Sequence, residues 1–590
     1  MKKKLIYTIT LTCMLLVACS DDFTEIAPTG ALSDEALQNA VGIDLKLTAA
    51  YSAMDGERVN ALGEAVSRGG DNWWTDVVSD DAHRGSTDGD NTELFQLETL
   101  DWQTGNSWFL GRWSALFGGV NQANAVLALI DQVPDGDFSQ QTGEALFLRG
   151  YFNFELQKFY GNVPFISLEN AVNLEFNQPN PGPIWAEIEA DFQAAIDNLG
   201  SERVTGRANS WVAKAFLGKA YLYQEKWDEA FALLNEVVTE GPYALNDEYV
   251  NNFNLVGENS SEAVFSIEFV ADDGRSYNGN GAGTLNFPGG GPLGTCCGFY
   301  QPTQDLVNAY QTDGSGLPLL DTFADTDVTS DYGIESYELD AEGTIIEDAD
   351  GNPVATPFDL HTGPLDPRLD YTVSRRGVDY NGFGNNPGKA WIRATFADVS
   401  GPYLPKKNVY QADEVDANRG TGGWGSDWSG INYNIMRFAD VLLLAAEAAV
   451  EKSSPDLPLA LEYVNRVRNR AKNMTYVQAL DNNNVAIPDT DAANYQIEPY
   501  ASFPDQAFAR KAVRFERRLE LGMEGHRLFD LRRWGVAEEV INTYIANEAE
   551  DINQSDYGRF GTYTDKYNLF PIPLTAIDQS GNILDQNPLY

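Results

Sequence analysis

Residues 211–242 constrain this chain more than any other stretch. Leu217, Gly218 and Tyr221 are followed by Ala230, Leu234 and then Pro242. The spacing is that of a helical hairpin, with Gly218 and Ala230 small enough to let two helices approach closely. A lone hairpin cannot bury both of its faces, so other hairpins have to stack on it. Partners are in reach. Trp113, Phe117, Val120, Asn124 and Leu127 recur at three- and four-residue spacing, the mark of one buried helical face. Leu148, Phe152, Leu156 and Phe159 repeat the spacing until Gly161-Asn162-Val163-Pro164 stops it. Phe438, Val441, Leu442, Ala445 and Ala448 do the same within 433–451, and residues 459–471 and 506–535 predict further helices.

The 211–242 unit resembles the tetratricopeptide consensus, with Lys214 in place of the usual Trp and Leu234 where Phe is common. Between about 255 and 430 the helical period fades, and Gly, Pro, Asn, Asp and aromatic residues dominate. Residues 262–269 predict a strand, and 337–354 a pair of hairpins turning at Ala341-Glu342-Gly343 and at 348–352. The Asp348/Asp350/Asn352 spacing matches part of a calcium loop, but the acid such a loop needs downstream is missing, so a turn is expected and no metal site. The expected fold is mainly α: a tetratricopeptide-like helical scaffold with an irregular, partly β, aromatic-rich insertion. Recognition usually resides in loops carried on such a frame.

The first residues speak of a destination. Lys2, Lys3 and Lys4 precede an apolar run at 5–17, which as a helix rises about 20 Å, too short for a bilayer core of about 30 Å. That is the anatomy of a cleaved secretory signal over 1–18. Leu16-Val17-Ala18-Cys19 resembles a bacterial lipobox, which makes Cys19 the acylated first residue of the mature chain, anchored by several palmitate-like chains. Ser20-Asp21-Asp22 resembles the acidic export tag of surface lipoproteins in Bacteroidetes-type bacteria. Two further cysteines remain, the adjacent Cys296 and Cys297, a possible vicinal disulfide or two buried thiols.

Asp and Glu (87) outnumber Lys and Arg (40), a net charge of −47, which argues against nucleic-acid binding and against adsorption to anionic lipid. With three histidines in 590 residues, multi-histidine metal sites and extensive His-based acid/base chemistry are not expected.

Several ordered motifs together carry a family resemblance. They are FLRGY at 147–151, YGNVP at 160–164, DPRL at 366–369, NIMRFADVLLLAAEA at 434–448, YVNRVRNRA at 463–471, ERRLELGMEGHRLFDLRRW at 516–534 and NLFPIP at 568–573. In this order the chain resembles the SusD/RagB outer-membrane lipoproteins along nearly its whole length. One departure is the ending, Asn587-Pro588-Leu589-Tyr590, where Asn-Pro-Gly-Tyr is expected. The resemblance implies an N-terminal helical region over 19–250 and a C-terminal region over 251–590 that contains the loop-rich insertion. It implies a non-enzymatic, surface-exposed protein, lipid-anchored in the outer membrane, that binds oligo- or polysaccharide without a cofactor. A SusC-like TonB-dependent transporter is the implied partner. Uptake of a peptide or glycopeptide is the alternative, and a glycoside hydrolase a more distant one, since two carboxylates suffice for that chemistry and acids abound. No nucleophile or acid is placed by the sequence around His526, which together with Arg517, Arg518, Glu520, Glu524, Asp530, Arg532 and Arg533 is expected to be scaffold.

A sugar ring offers an apolar C–H face to flat aromatics and a hydroxyl rim to Asn, Asp, Gln or Arg. Tryptophans and tyrosines flanked by Gly, Asn and Asp, off the helical periodicity, are therefore the binding candidates. They are Asn72, Trp73 and Trp74; Trp108; Tyr300 beside the cysteine pair; Trp391; and Trp424 with Trp428. Lys389, Arg393, Lys406 and Lys407 form a candidate basic patch nearby.

Overall fold

The computed structural model describes residues 34–55, 72–87, 89–271, 280, 283–286, 288–293, 297–393, 401–407, 409–421, 427–548 and 560–590. The signal segment and Cys19 lie outside them. No helix among the described residues is long and apolar enough to cross a membrane.

The principal helices are α1 (Ala40–Ser52), α2 (Ser107–Asp131), α3 (Ser139–Tyr160), α4 (Trp185–Asn198), α5 (Ser210–Leu222), α6 (Trp227–Glu240), α7 (Phe438–Glu451), α8 (Leu457–Asn473), α9 (Gln506–Leu521), α10 (Arg527–Arg533) and α11 (Ala537–Glu548). Their starts are written in the sequence. Asn39, Asn106, Asn209, Asp456 and Asp505 each turn a side-chain oxygen onto a free backbone N–H of the first turn of α1, α2, α5, α8 and α9. Gly161, at φ 70°, ends α3.

The helices form a ladder in which α2 packs on α3, α3 on α4, α4 on α5, α5 on α6, and α6 on α7. Close approach depends on small residues, as the hairpin pattern requires. A Cβ on Gly218 would fall 2.8 Å from the Leu234 side chain, and one on Gly150 would fall 3.0 Å from Phe192. From α7 the ladder continues onto α8 and α9. Every residue of α7 from Phe438 to Val450 is buried, so its acids must be paired inside the core. Asp440 accepts from Lys219 (3.1 Å) and Arg517 (2.8 Å), and Glu447 accepts from Arg533 and from the Trp534 indole (2.7 Å each).

The charged signature of α9 and α10 acts between elements more than along one helix face. Arg437 meets Glu262 (3.0 Å), Glu520 and Glu524 (2.9 Å), and Arg470 and Arg368 also hold Glu520. Arg518 ties α9 to Asp80 and Asp81 (3.0 Å each) and Asp305 (2.7 Å).

Strands among the described residues form only two-stranded antiparallel pairs: β1 (Ala82–Gly85) with β3 (Phe299–Pro302), β2 (Ala263–Ile267) with β8 (Tyr433–Arg437), β4 (Val373–Ser374) with β5 (Leu404–Pro405), β6 (Arg419–Thr421) with β7 (Asp427–Ser429), and β9 (Gln478–Leu480) with β10 (Ala486–Asp491). The β2/β8 ladder, with Ala263 opposite Arg437 and Ile267 opposite Tyr433, closes the insertion at its base. The chain thus leaves the scaffold after α6 and re-enters it at α7, which packs directly on α6. The hairpins expected at 337–354 are present, with Leu339 opposite Ile345 and Glu347 opposite Pro353, and Tyr337 pairs with Ala355 just beyond. Asp348 accepts from the backbone N–H groups of Asp350 and Asn352 (2.9 Å each), which makes it a turn former.

One large core runs through the ladder, and the insertion builds a small one of its own. The small core consists of Leu293, Tyr380, Ile392, Leu404, Val409, Tyr410 and Ile431, with Phe383, Trp391 and Val415 half-buried against it.

Candidate functional site

Most of the aromatic residues singled out from the sequence are core. Trp74 is fully buried, with ring centroids 5.5–5.6 Å from Trp108, Phe159 and Phe570. Trp73 is buried edge-on to Tyr433 at 5.3 Å. Trp108 is not a loop residue: Asn106 caps α2, the cap receives the Trp108 N–H, and the indole donates to Asn91 (3.1 Å). Asn72 is committed to the buried Arg112–Glu155 pair, accepting from Arg112 at 2.9 Å. Tyr300 in β3 and Trp428 in β7 are 1% and 3% exposed. These six positions present no face to a ligand, which corrects the expectation drawn from composition. At Trp108 the Asn106 neighbour that marked a loop is instead a helix cap beside an inward-pointing ring.

Two candidates remain. Trp424 lies outside the described residues. Trp391 is half-buried at the rim of the small core, its ring 5.8 Å from Tyr380 at 66°. Gly291, at φ +73°, allows this packing, since a Cβ there would fall 2.7 Å from the indole. Phe383, also half-buried, packs 6.2 Å from the same Tyr380. The rim therefore offers aromatic surface held by a core separate from the main one.

The basic patch does not form. Lys406 is buried and donates to the carbonyl of Asp379 (2.9 Å), and Lys407 to that of Gly522 (2.7 Å) and to Glu524 (2.8 Å). Lys389 pairs with Glu335 (2.7 Å), and Arg393 with Asp90 (2.8 Å) while donating to the Cys297 carbonyl (3.1 Å). Cys297 is disulfide-bonded, and Cys296 lies outside the described residues.

Electrostatics differ between base and scaffold. Glu258 accepts from the Asn432 N–H at 2.9 Å beside the β2/β8 ladder. Burial, with Glu268 and Glu414 nearby, pushes its carboxyl up to about 7. In the scaffold, Asp530 is held down to about 2 because Arg517 and Arg533 outweigh its burial. His526 is pushed down to about 4, by burial first and by Lys219 and Arg517, and so is neutral scaffold at pH 7. His83 lies between Glu98, hydrogen-bonded to its Nδ1 (3.1 Å), and Glu548 (3.6 Å), and these two carboxylates together outweigh burial and raise it to about 9. Among the described residues, no three of His, Cys, Asp and Glu gather as metal ligands.

A cleft of 620 Å³ opens elsewhere, between α9, α10, α11 and residues 321–325, and no binding candidate from the sequence lines it. Its signal was available: Arg510, Arg514 and Arg518 stand four residues apart on α9 and share one face.

A stacked helical ladder interrupted by a loop-rich, aromatic insertion defines a binding scaffold of the tetratricopeptide-like class. The chain belongs to the SusD family, whose model matches residues 261–590, and a second model, described as starch-binding associating with outer membrane, matches residues 49–222. Among curated proteins it is similar to SusD-like protein P25 of Formosa agariphila, at 25% identity over 73% of this chain and 71% of that protein. It is also similar to SusD-like protein P2 of the same organism, at 23% identity over the full length of both. Solved structures share the fold. A SusD homolog from Bacteroides thetaiotaomicron superposes with a TM-score of 0.66 at 21% identity, over 95% of this chain and 99% of that one. A laminarin-binding SusD-like protein gives 0.62 at 22% identity, over 94% and 100%. Surface glycan-binding protein A from B. thetaiotaomicron, in complex with laminarihexaose, gives 0.63 at 18% identity, over 93% and 99%.

Proposed function

We propose that this protein captures an oligo- or polysaccharide at the cell surface, without catalysis, and passes it to a SusC-like TonB-dependent transporter in the outer membrane. Lipid on Cys19 tethers it there, and the loop-rich insertion carries the glycan site, with Trp391 and Trp424 as its aromatic platforms. The observation that carries this reading is the half-buried Trp391 on a small aromatic core of the insertion's own. Such a core holds a ring rigidly while leaving part of it exposed, the arrangement stacking against a sugar requires. Family membership and the glycan-binding names of fold relatives support it. The test is a glycan-array screen of the signal-free protein, followed by titration of the best oligosaccharide into Trp391→Ala. Affinity should fall about tenfold or more, the loss of a stacked ring of about 1.4 kcal/mol. No glycan bound, or turnover of a bound glycan, refutes the reading.

A further inference from the structure

The 620 Å³ cleft against α9 is large enough for a small organic ligand, well beyond a single ion. Most of the cations around it are spoken for. Arg510 pairs with Glu451, Lys511 with Asp321, Arg518 with Asp80, Asp81 and Asp305, and Arg527 donates twice to Asp80 (2.8 and 2.7 Å). Arg514 is the exception. It is half-buried, and among the described residues it makes no ion pair and no hydrogen bond. Its Nε is closed off from solvent with no acceptor. The guanidinium lies 4.9 Å over the Trp534 ring, whose indole is itself fixed to Glu447 at 2.7 Å, so the fork is held in place before any partner arrives. Glu447 and Glu451 attract the guanidinium only from beyond ion-pair distance, and its Nε is closed off, so a carboxylate arriving from the cleft would be the first anion to meet the fork directly.

The rest of the wall narrows the ligand. Phe323 and Val540 offer apolar surface, while Asp325 and Asn547 stand exposed at the mouth. Acids at the mouth repel a polyanion but accept from hydroxyl groups. One negative charge, an apolar face and several hydroxyls are together the properties of a sugar acid.

We propose that this cleft is a second carbohydrate site, which takes a uronic-acid unit: its carboxylate meets the Arg514 fork, its C–H face lies on Phe323 and Val540, and its hydroxyls bond to Asp325 and Asn547. This site is separate from the insertion rim and does not depend on the reading given for it. The experiment is calorimetric titration of the signal-free protein with digalacturonate, and with the neutral disaccharide galactobiose as its uncharged counterpart. Wild-type protein should bind digalacturonate saturably and galactobiose at least tenfold more weakly. Arg514→Gln should lose tenfold or more for digalacturonate, with an unchanged near-ultraviolet spectrum and an unchanged urea midpoint. Asn547→Leu, at an exposed position, provides an independent test and should weaken digalacturonate severalfold. Absence of saturable heat with wild-type protein, equal affinity for the two disaccharides, or undiminished binding in both variants would overturn the proposal.

Discussion

Trp74 and Trp391 are the same side chain in two kinds of neighbourhood. In the helical ladder, Trp74 is enclosed by Trp108, Phe159 and Phe570, residues drawn from both ends of the chain. In the insertion, Trp391 rests on Tyr380 and a short glycine run, with part of the ring uncovered. The ladder uses aromatics as mortar, and the insertion presents them. The difference follows from size: a large core can enclose an indole on all sides, whereas a core of seven buried residues cannot cover its own rim.

That contrast can be broken at several points. The largest expected effect is in the scaffold's charges. Arg437→Met removes the cation that joins Glu524 to Glu262 and Glu520 in the core, leaving Lys407 for the first and Arg470 for the other two, and should cost about 3–5 kcal/mol in urea unfolding. Trp74→Ala should cost about 3–4 kcal/mol by opening a cavity, while the fraction that still folds binds glycan as wild type does. Acid should act on the same frame. Asp530, at about 2 in the folded protein against an ordinary 3.8, contributes stability above pH 4 that is lost as pH falls towards 2, about 2 kcal/mol in all. Asp530→Asn should flatten that limb of the stability profile. Trp391→Ala belongs to the other region: unfolding should shift by about 2 kcal/mol, less than for Trp74→Ala, since part of the ring already meets water. The remaining effect has the opposite sign to that of Asp530. Glu258, at about 7 when folded against an ordinary 4.5, opposes folding above pH 7, and the opposition fades as pH falls from 7 to 4.5. Glu258→Gln should therefore raise the urea midpoint at pH 8.5 and leave it nearly unchanged at pH 4.5.

The ladder was legible in the sequence because its determinants are local. Three- and four-residue apolar spacing, Asn and Asp caps, and Gly218 facing Leu234 each follow from helix geometry alone. The binding candidates were not, because whether a ring points in or out depends on residues far away in sequence. Trp74 is sealed by Phe570, and Trp73 by Tyr433. No window around residues 70–76 contains that information. The buried lysines make the same point: Lys406 and Lys407 read as a surface patch until the carbonyls of Asp379 and Gly522 are seen to receive them. The Arg514 cleft was half visible, since four-residue spacing set three arginines on one face, but only the tertiary structure separates the unpaired one from its committed neighbours.

The most direct measurement is a matched pair of titrations, in which the oligosaccharide selected on the array is titrated into wild-type, Trp391→Ala and Trp74→Ala proteins alongside their urea unfolding curves. The account predicts that Trp391→Ala loses affinity tenfold or more per folded molecule with the smaller loss of stability, and that Trp74→Ala loses more stability at unchanged affinity per folded molecule. Full affinity in Trp391→Ala, or weakened affinity in the folded fraction of Trp74→Ala, would contradict it.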